Sequence, residues 1–373
     1  MTEADWLKAK NPDAMLRLLD DRLSPRQWHL LACAVVRRAW DVLPGGPLRA
    51  AVEWAEQHPG DTGPDAAALI PGIEPAARVA AEEAQDTQRQ IVAAADPDAD
   101  PDSFRHTDER KTNPSAPLFQ AACRAAGSSV EQAGEAVTHA AEAVAALLSP
   151  AAGAGQLTHI RECVVTATRV RAGASLYAAS ALKLKAQGDE AADQDTKKNV
   201  RLRSAIALET VGREEEQAAY KHGDLQEQKE KADKKAVGRF ALDLFGNPFK
   251  PYRFEPAWRT STVTELARTI YADRAWDRMP ILADALLDAD CDEEAILRHC
   301  RGTEAHTPDG PAHGRGCWVL DLILEHEPAF FAAPPIKVEE KPPLPRRPGP
   351  PTPGGGWARL LDALQDDPDD DDE

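Results

Sequence analysis

Two long stretches of the chain carry apolar residues separated alternately by four and three positions. In the first, Phe119, Cys123, Ala126, Val130, Ala133, Val137, Ala140, Val144 and Leu147 fall on one narrow stripe, and Ile160, Cys163, Ala167, Val170, Ala174, Tyr177, Ala181 and Leu184 repeat it. That alternation forms a seam along an α-helix. Ser149 to Gly155 has the composition of a tight helix-to-helix connection, so the spacing predicts two long helices packed antiparallel. Small seam residues let the axes approach to about 8 Å. Each buried alanine contributes little, on the order of 1 kcal/mol or less, so stability has to come from length, close backbone packing and a neighbouring helix. Asn199 to Phe245 is the expected neighbour. Its central part, Glu214 to Lys235, is almost wholly polar, as in a solvent-exposed helix with i,i+4 pairs such as Glu227 with Lys231 and Glu230 with Lys234.

Shorter helices flank this body. Residues 1 to 58 carry three expected helices. In the best marked, Ser24-Pro25-Arg26-Gln27 is a capping box and Leu30, Leu31, Ala34, Val35 and Trp40 follow. Gly60 to Gly72 has loop composition, after which Ile73, Ala77, Ala80, Ala84 and Ile91 share a helical face; the acidic, proline-punctuated run from Asp96 begins an expected exposed loop reaching Pro114. Gly246 and Pro248 end the long helix. Thr262 to Glu265 reads as a capping box before Val263, Leu266, Ala267 and Ile270. Pro280 opens a helix with the apolar stripe Ile281, Leu282, Ala285 and Leu286; Asp292 caps a short one that Gly302 ends. Trp318 to Leu324 is a further apolar run, and Trp258, Trp276 and Trp318 are the expected large core residues. The fold class is therefore all-α: a helical bundle with a long alanine-rich antiparallel hairpin and a disordered Pro-rich C-terminal tail. The expected divisions are 1–58, 73–245, 246–328, a linker at 329–356, and 357–373.

Charge narrows the partners. With 62 acidic against 44 basic side chains, net −18, general binding to nucleic acid is disfavoured. No apolar run approaches the roughly 20 residues that span a bilayer, and the acidic start lacks a secretory pattern, so the expected location is the cytoplasm. The six cysteines are scattered through helical patterns without disulfide spacing, which fits reduced, buried thiols. After the Pro/Gly-rich linker, Trp357, Leu360, Leu361 and Leu364 sit at i, i+3, i+4 and i+7, ahead of an acidic end. So short a helix is marginal alone. It suits a segment that folds into a protein partner's apolar groove beside a basic surface, or that docks on its own bundle.

No nucleophile elbow, phosphate-binding loop, dinucleotide glycine pattern or HExxH pair is present, and no cofactor is expected from motifs. Soft and borderline ligands do gather at Cys291, His299, Cys300, His306, His313 and Cys317. Without a CxxC pair, the simpler expectation is thiols buried beside Trp318. His29 and Cys33 also have ligand spacing on one helix. Glu131, Glu135 and His139 share a face but lack the Glu-x-x-His partner of a di-iron site.

The string Phe245 to Phe249, Arg278-Met279-Pro280-Ile281-Leu282-Ala283-Asp284-Ala285-Leu286, Cys291-Asp292, His299-Cys300-Arg301-Gly302 and Gly316-Cys317-Trp318-Val319 resembles the C-terminal module of a large, uncharacterised family of soluble bacterial proteins. Met1 to Leu7 and Ala32-Cys33-Ala34-Val35-Val36-Arg37-Arg38-Ala39-Trp40 resemble its N-terminal module. This chain departs from the family's cysteine-richer run after Cys33 and its tighter loop before Cys317. The resemblance implies no reaction. The expected function is a non-enzymatic helical adaptor or scaffold recruiting a protein partner through its tethered C-terminal helix; the alternative is a zinc-binding protein or enzyme using residues 291–317.

Overall fold

Capping residues and prolines set most element boundaries. The computed structural model describes residues 1–9, 11–61, 63–94, 116–149, 153–193, 200–250, 252, 254–302, 313–327, 330–331 and 333–336. Thr2 caps α1 (Glu3–Leu7) and Asn11 caps α2 (Pro12–Leu19). The expected capping box opens α3 (Pro25–Val36): Gln27 N–H donates to Ser24 Oγ at 3.1 Å and Ser24 N–H to Gln27 Oε1 at 3.0 Å. With α4 (Pro47–Gln57), the first 58 residues hold four α-helices where three were expected.

The stretch expected to be a loop at Gly60 to Gly72 is largely helix. α5 (Pro64–Ala94) begins at its first proline and continues through Pro71 and Pro75. Both internal prolines lie on the exposed face, while Ala66, Ile73, Ala77 and Ala80 are buried. Burial of that stripe outweighs the amide donors the prolines lack.

The hairpin forms as its spacing requires, from α6 (Ala116–Leu147) and α7 (Ala154–Asp193), with α8 (Val200–Phe245) running alongside as one continuous helix. The α7 seam is buried except for half-buried Tyr177. In α6 the expected seam holds from Ala133 onward. Earlier in that helix, Leu118, Ala121, Ala122 and Ser129 are buried, whereas Phe119, Cys123 and Val130 are only partly so. Along that part of α6 the buried stripe lies one position earlier than the alternating spacing predicts. On α8, Glu227 pairs with Lys231 at 2.5 Å, and Glu230 accepts from Gln226 at 3.0 Å.

The C-terminal module comprises α9 (Ser261–Asp273), α10 (Met279–Asp288), α11 (Glu294–Cys300) and α12 (Trp318–Leu324). The cap of α9 is Thr260, not Thr262: the Thr260 hydroxyl accepts from Val263 N–H at 3.3 Å. Gly246 and Gly302 take the expected left-handed conformation, with φ of 59° and 69°. Ile281, expected on the apolar stripe, is exposed, and Trp276 is half-buried. Leu282, Leu286, Trp258 and Trp318 are buried as expected.

Three hydrophobic clusters result among the described residues, the smallest joining Leu118, Ala121 and Ala122 of α6 with Leu184 of α7 and Ala207 and Val211 of α8. Trp6, Met15, Leu31 and Val35 from the N-terminal helices share one core with Val144, Leu147, Ile160, Val237 and Phe245 of the long helices. The second core belongs to the C-terminal module and includes Trp258, Leu282, Leu286, Ile296 and Trp318. The two larger ones are joined by the aromatic contacts Phe245–Phe330–Phe331–Tyr252–Trp318 and by polar ones: Trp6 Nε1 donates to Gly246 O at 2.8 Å, and Arg26 grips Asp321. Among the described residues, no helix is long and apolar enough to cross a membrane. The expected partner-binding residues Trp357, Leu360, Leu361 and Leu364, and the acidic loop expected at 96–114, lie outside the described residues.

Candidate metal centre

Asp243 occupies the last turn of α8, where Ala241, Leu244 and Phe245 commit the helix to the first core. The left-handed Gly246 turns the chain out of α8, and α12 of the C-terminal module packs back against that helix. A Cβ at Gly246 would overlap the Tyr252 hydroxyl and lie 3.1 Å from the Trp318 indole, so only glycine fits the corner. His299 comes from the end of α11, His313 from the segment before α12, and Cys317 is the residue that precedes α12's first turn. One ligand atom from each of Asp243, His299, His313 and Cys317 lies within 4.8 Å of the others.

The contacts inside this cluster are close. His313 Nδ1 is 2.8 Å from Asp243 Oδ1, and Gly314 N–H donates to Asp243 Oδ2 at 2.8 Å. His299 Nε2 lies 3.4 Å from Asp243 Oδ1 and 3.0 Å from Cys317 Sγ. Asp243, His313 and Cys317 are 3%, 6% and 0% exposed, so these polar groups satisfy one another away from water. Burial alone would raise the Asp243 carboxyl, but the charge of His313 and hydrogen bonds from His299 and His313 prevail and hold it down to about 2. The Cys317 thiol is pushed well above its usual value, first by burial and then by the Asp243 charge.

Trp318 fixes the histidine chemistry. Its Nε1–H donates to His299 Nδ1 at 3.1 Å, and an indole nitrogen can only donate. Neutral His299 therefore carries its proton on Nε2, pointing between Asp243 and Cys317. A cation held by Nε2 would displace that proton, and ligation in this manner requires the Trp318 contact to be given up. His313 faces no such conflict: Nδ1–H donating to the Asp243 carboxylate leaves Nε2 with the lone pair, the usual arrangement of an oriented histidine ligand.

Of the six residues singled out in the sequence, the fold thus brings together His299, His313 and Cys317. Cys291 and Cys300 lie in the core of the C-terminal module and do not join the four-donor cluster; burial pushes the Cys300 thiol up to about 12. His306 lies outside the described residues. Asp243 was missed, although it is the one acid in the apolar run Phe240 to Phe245 directly before the helix end. The other candidates serve different ends. His29 Nδ1 accepts from Gly60 N–H at 2.8 Å, and His139 pairs with Glu142 at 2.9 Å on an exposed face. No family model, curated protein or solved structure matches the chain.

Proposed function

We propose that the protein is a non-enzymatic helical scaffold whose C-terminal module is fastened to the long-helix body by a structural zinc-class ion. The observation that carries this reading is the convergence of a carboxylate, two imidazoles and a thiol within 4.8 Å, contributed by α8 on one side and by the C-terminal module on the other. Mixed oxygen, nitrogen and sulfur donors in fours suit zinc, and a closed, buried set suits a structural ion better than a catalytic one. The motifs that carry the resemblance to bacterial proteins include His299 and Cys317, and the reading gives them a shared physical role. All six cysteines are free thiols, in keeping with the reducing cytoplasm. Partner recruitment is assigned to Trp357, Leu360, Leu361 and Leu364 beyond the linker.

Purified, untagged full-length chain should contain one zinc per molecule by elemental analysis and rebind it after chelation. Cys317→Ser and His313→Gln should each weaken binding by at least about tenfold, while Cys291→Ser keeps it. A wild-type chain that takes up no zinc, or a Cys317 variant that binds as tightly, overturns the assignment. A partner that copurifies with the intact chain should be lost with Leu361→Asp; its retention overturns the role given to the tail.

A further inference from the structure

Where α4 ends, three guanidinium groups converge on Glu56, two on its carboxylate and one on its backbone carbonyl. Arg37 donates to Glu56 through Nε, 2.7 Å from Oε1, and through Nη2, 2.9 Å from Oε2; Arg274 pairs with the same Oε2. Arg315 Nη1 reaches the Glu56 carbonyl at 3.4 Å, and its Nη2 donates to Ala272 O at 2.9 Å. Four separate segments meet here: the turn after α3, the end of α4, the left-handed residue Arg274 that ends α9, and the loop between His313 and Cys317.

The charges do not balance. Glu56 is 6% exposed, and the side chains of Arg37 and Arg274 keep only 25% and 27% of their surface. Three cations against one anion leave two positive charges in excess among the described residues, and counting exposed Glu53, one turn back on α4, still leaves one. The chain as a whole has a net charge of −18, so this concentration runs against its composition. Taking charge out of water is costly unless a counter-charge accompanies it. Donors remain as well. The Arg315 Nε atom is buried without a partner among the described residues, and the contacts to Glu56 leave Arg37 Nη1 and Arg274 Nε and Nη1 as further donors. Planar guanidinium forks match tetrahedral oxyanions through paired hydrogen bonds.

We propose that Arg37, Arg274 and Arg315 form a binding site for a phosphate-class oxyanion, either the free ion or a phosphate monoester. Glu56 acts as the hub, its carboxylate aligning Arg37 and Arg274 and its carbonyl holding Arg315, and the bound anion supplies the missing negative charge. Arg315 lies between two of the metal-cluster residues in sequence, but the site does not depend on a bound metal.

Calorimetric titration of the full-length chain with inorganic phosphate, at ionic strength held constant with sodium chloride, should show one saturable site. Glycerol phosphate in a parallel arm names the source, the tighter of the two ligands being the one the site is built for; acetate should bind at least tenfold more weakly than either. Arg274→Gln should weaken phosphate binding at least tenfold, whereas Arg213→Gln, on the exposed face of α8, leaves it unchanged. Should Arg274→Gln fail to fold, Arg37→Lys keeps the charge but loses the fork, and is expected to weaken binding while the thermal midpoint stays near wild type. Absence of saturable phosphate binding overturns the proposal. So does unchanged affinity in Arg274→Gln, which would instead place the anion elsewhere, for instance on a bound metal.

Discussion

His29 is enclosed in its neutral form. Its Nδ1 accepts from Gly60 N–H, which puts the ring proton on a buried Nε2 that has no partner among the described residues. Burial pulls the imidazole down from its usual value to about 4, with Asp61 opposing weakly. The folded value lies below the unfolded one, so the unfolded chain takes up the proton first. Stability is full above about pH 6.5 and falls as pH drops from there toward about 4, by up to about 3 kcal/mol. His29→Asn keeps an acceptor near Gly60 without the titration, so its urea midpoint should change less between pH 6.5 and 4.5 than that of wild type. Equal pH dependence in the two proteins would remove His29 as the cause. At this scale the sequence was only partly legible. The spacing of His29 and Cys33 is shared by metal ligands and by core neighbours, and nothing in one helix's periodicity tells them apart. Asp243 was hidden for a related reason: its partners lie 56, 70 and 74 positions downstream, beyond the reach of any local pattern.

At the scale of elements, apolar periodicity was the reliable signal and punctuation the unreliable one. Alternating spacing marked α6 and α7, because an apolar seam that recurs every three or four residues over many turns can be buried on one side only by a helix; α8 was expected from its i,i+4 charge pairs and from the hairpin's need of a neighbour. Pro71 and Gly72, by contrast, suggested a loop in what is α5, since local breakers are overridden when the flanking stripe is buried. The one-position shift of the α6 seam puts Ser129 in the buried stripe, where an apolar residue was expected. Ser129 Oγ donates to Ala174 O at 2.6 Å and accepts from Gln88 Nε2 at 2.8 Å, so this buried hydroxyl links α5, α6 and α7. Ser129→Ala would strand the Gln88 amide, itself 3% exposed, at a cost of about 1 to 3 kcal/mol. Pairing it with Gln88→Leu removes the stranded donor and should recover much of the loss in urea denaturation. A double variant as unstable as the sum of the singles would show that packing, not the hydrogen bond, sets the cost.

Across the whole molecule, the N-terminal and C-terminal cores meet through an aromatic chain, Phe245–Phe330–Phe331–Tyr252–Trp318, and through buried charge beside it. Arg26, at the start of α3, donates from Nη1 to Asp321 Oδ2 at 2.7 Å and from Nη2 to Asp321 Oδ1 at 3.1 Å, and it also contacts the Tyr271 hydroxyl and Glu327. Asp321 is 3% exposed in the middle of α12, flanked by core residues Leu320 and Ile323. Removing the arginine alone leaves a buried carboxylate whose remaining partner is His326, 3.0 Å away. Arg26→Met is therefore expected to cost about 3 to 5 kcal/mol, well beyond the loss of an exposed pair such as Arg213 with Glu209. Arg26→Met combined with Asp321→Leu replaces both charges with apolar groups and should restore most of that stability, because the penalty lies in the orphaned charge and not in the missing attraction. The reading requires the double variant to be more stable than Arg26→Met by urea midpoint. If both variants unfold at the same concentration, Asp321 is not what couples the modules, and the joint rests on the aromatic chain from Phe245 to Trp318, the Trp6–Gly246 contact and the Asp243 cluster instead.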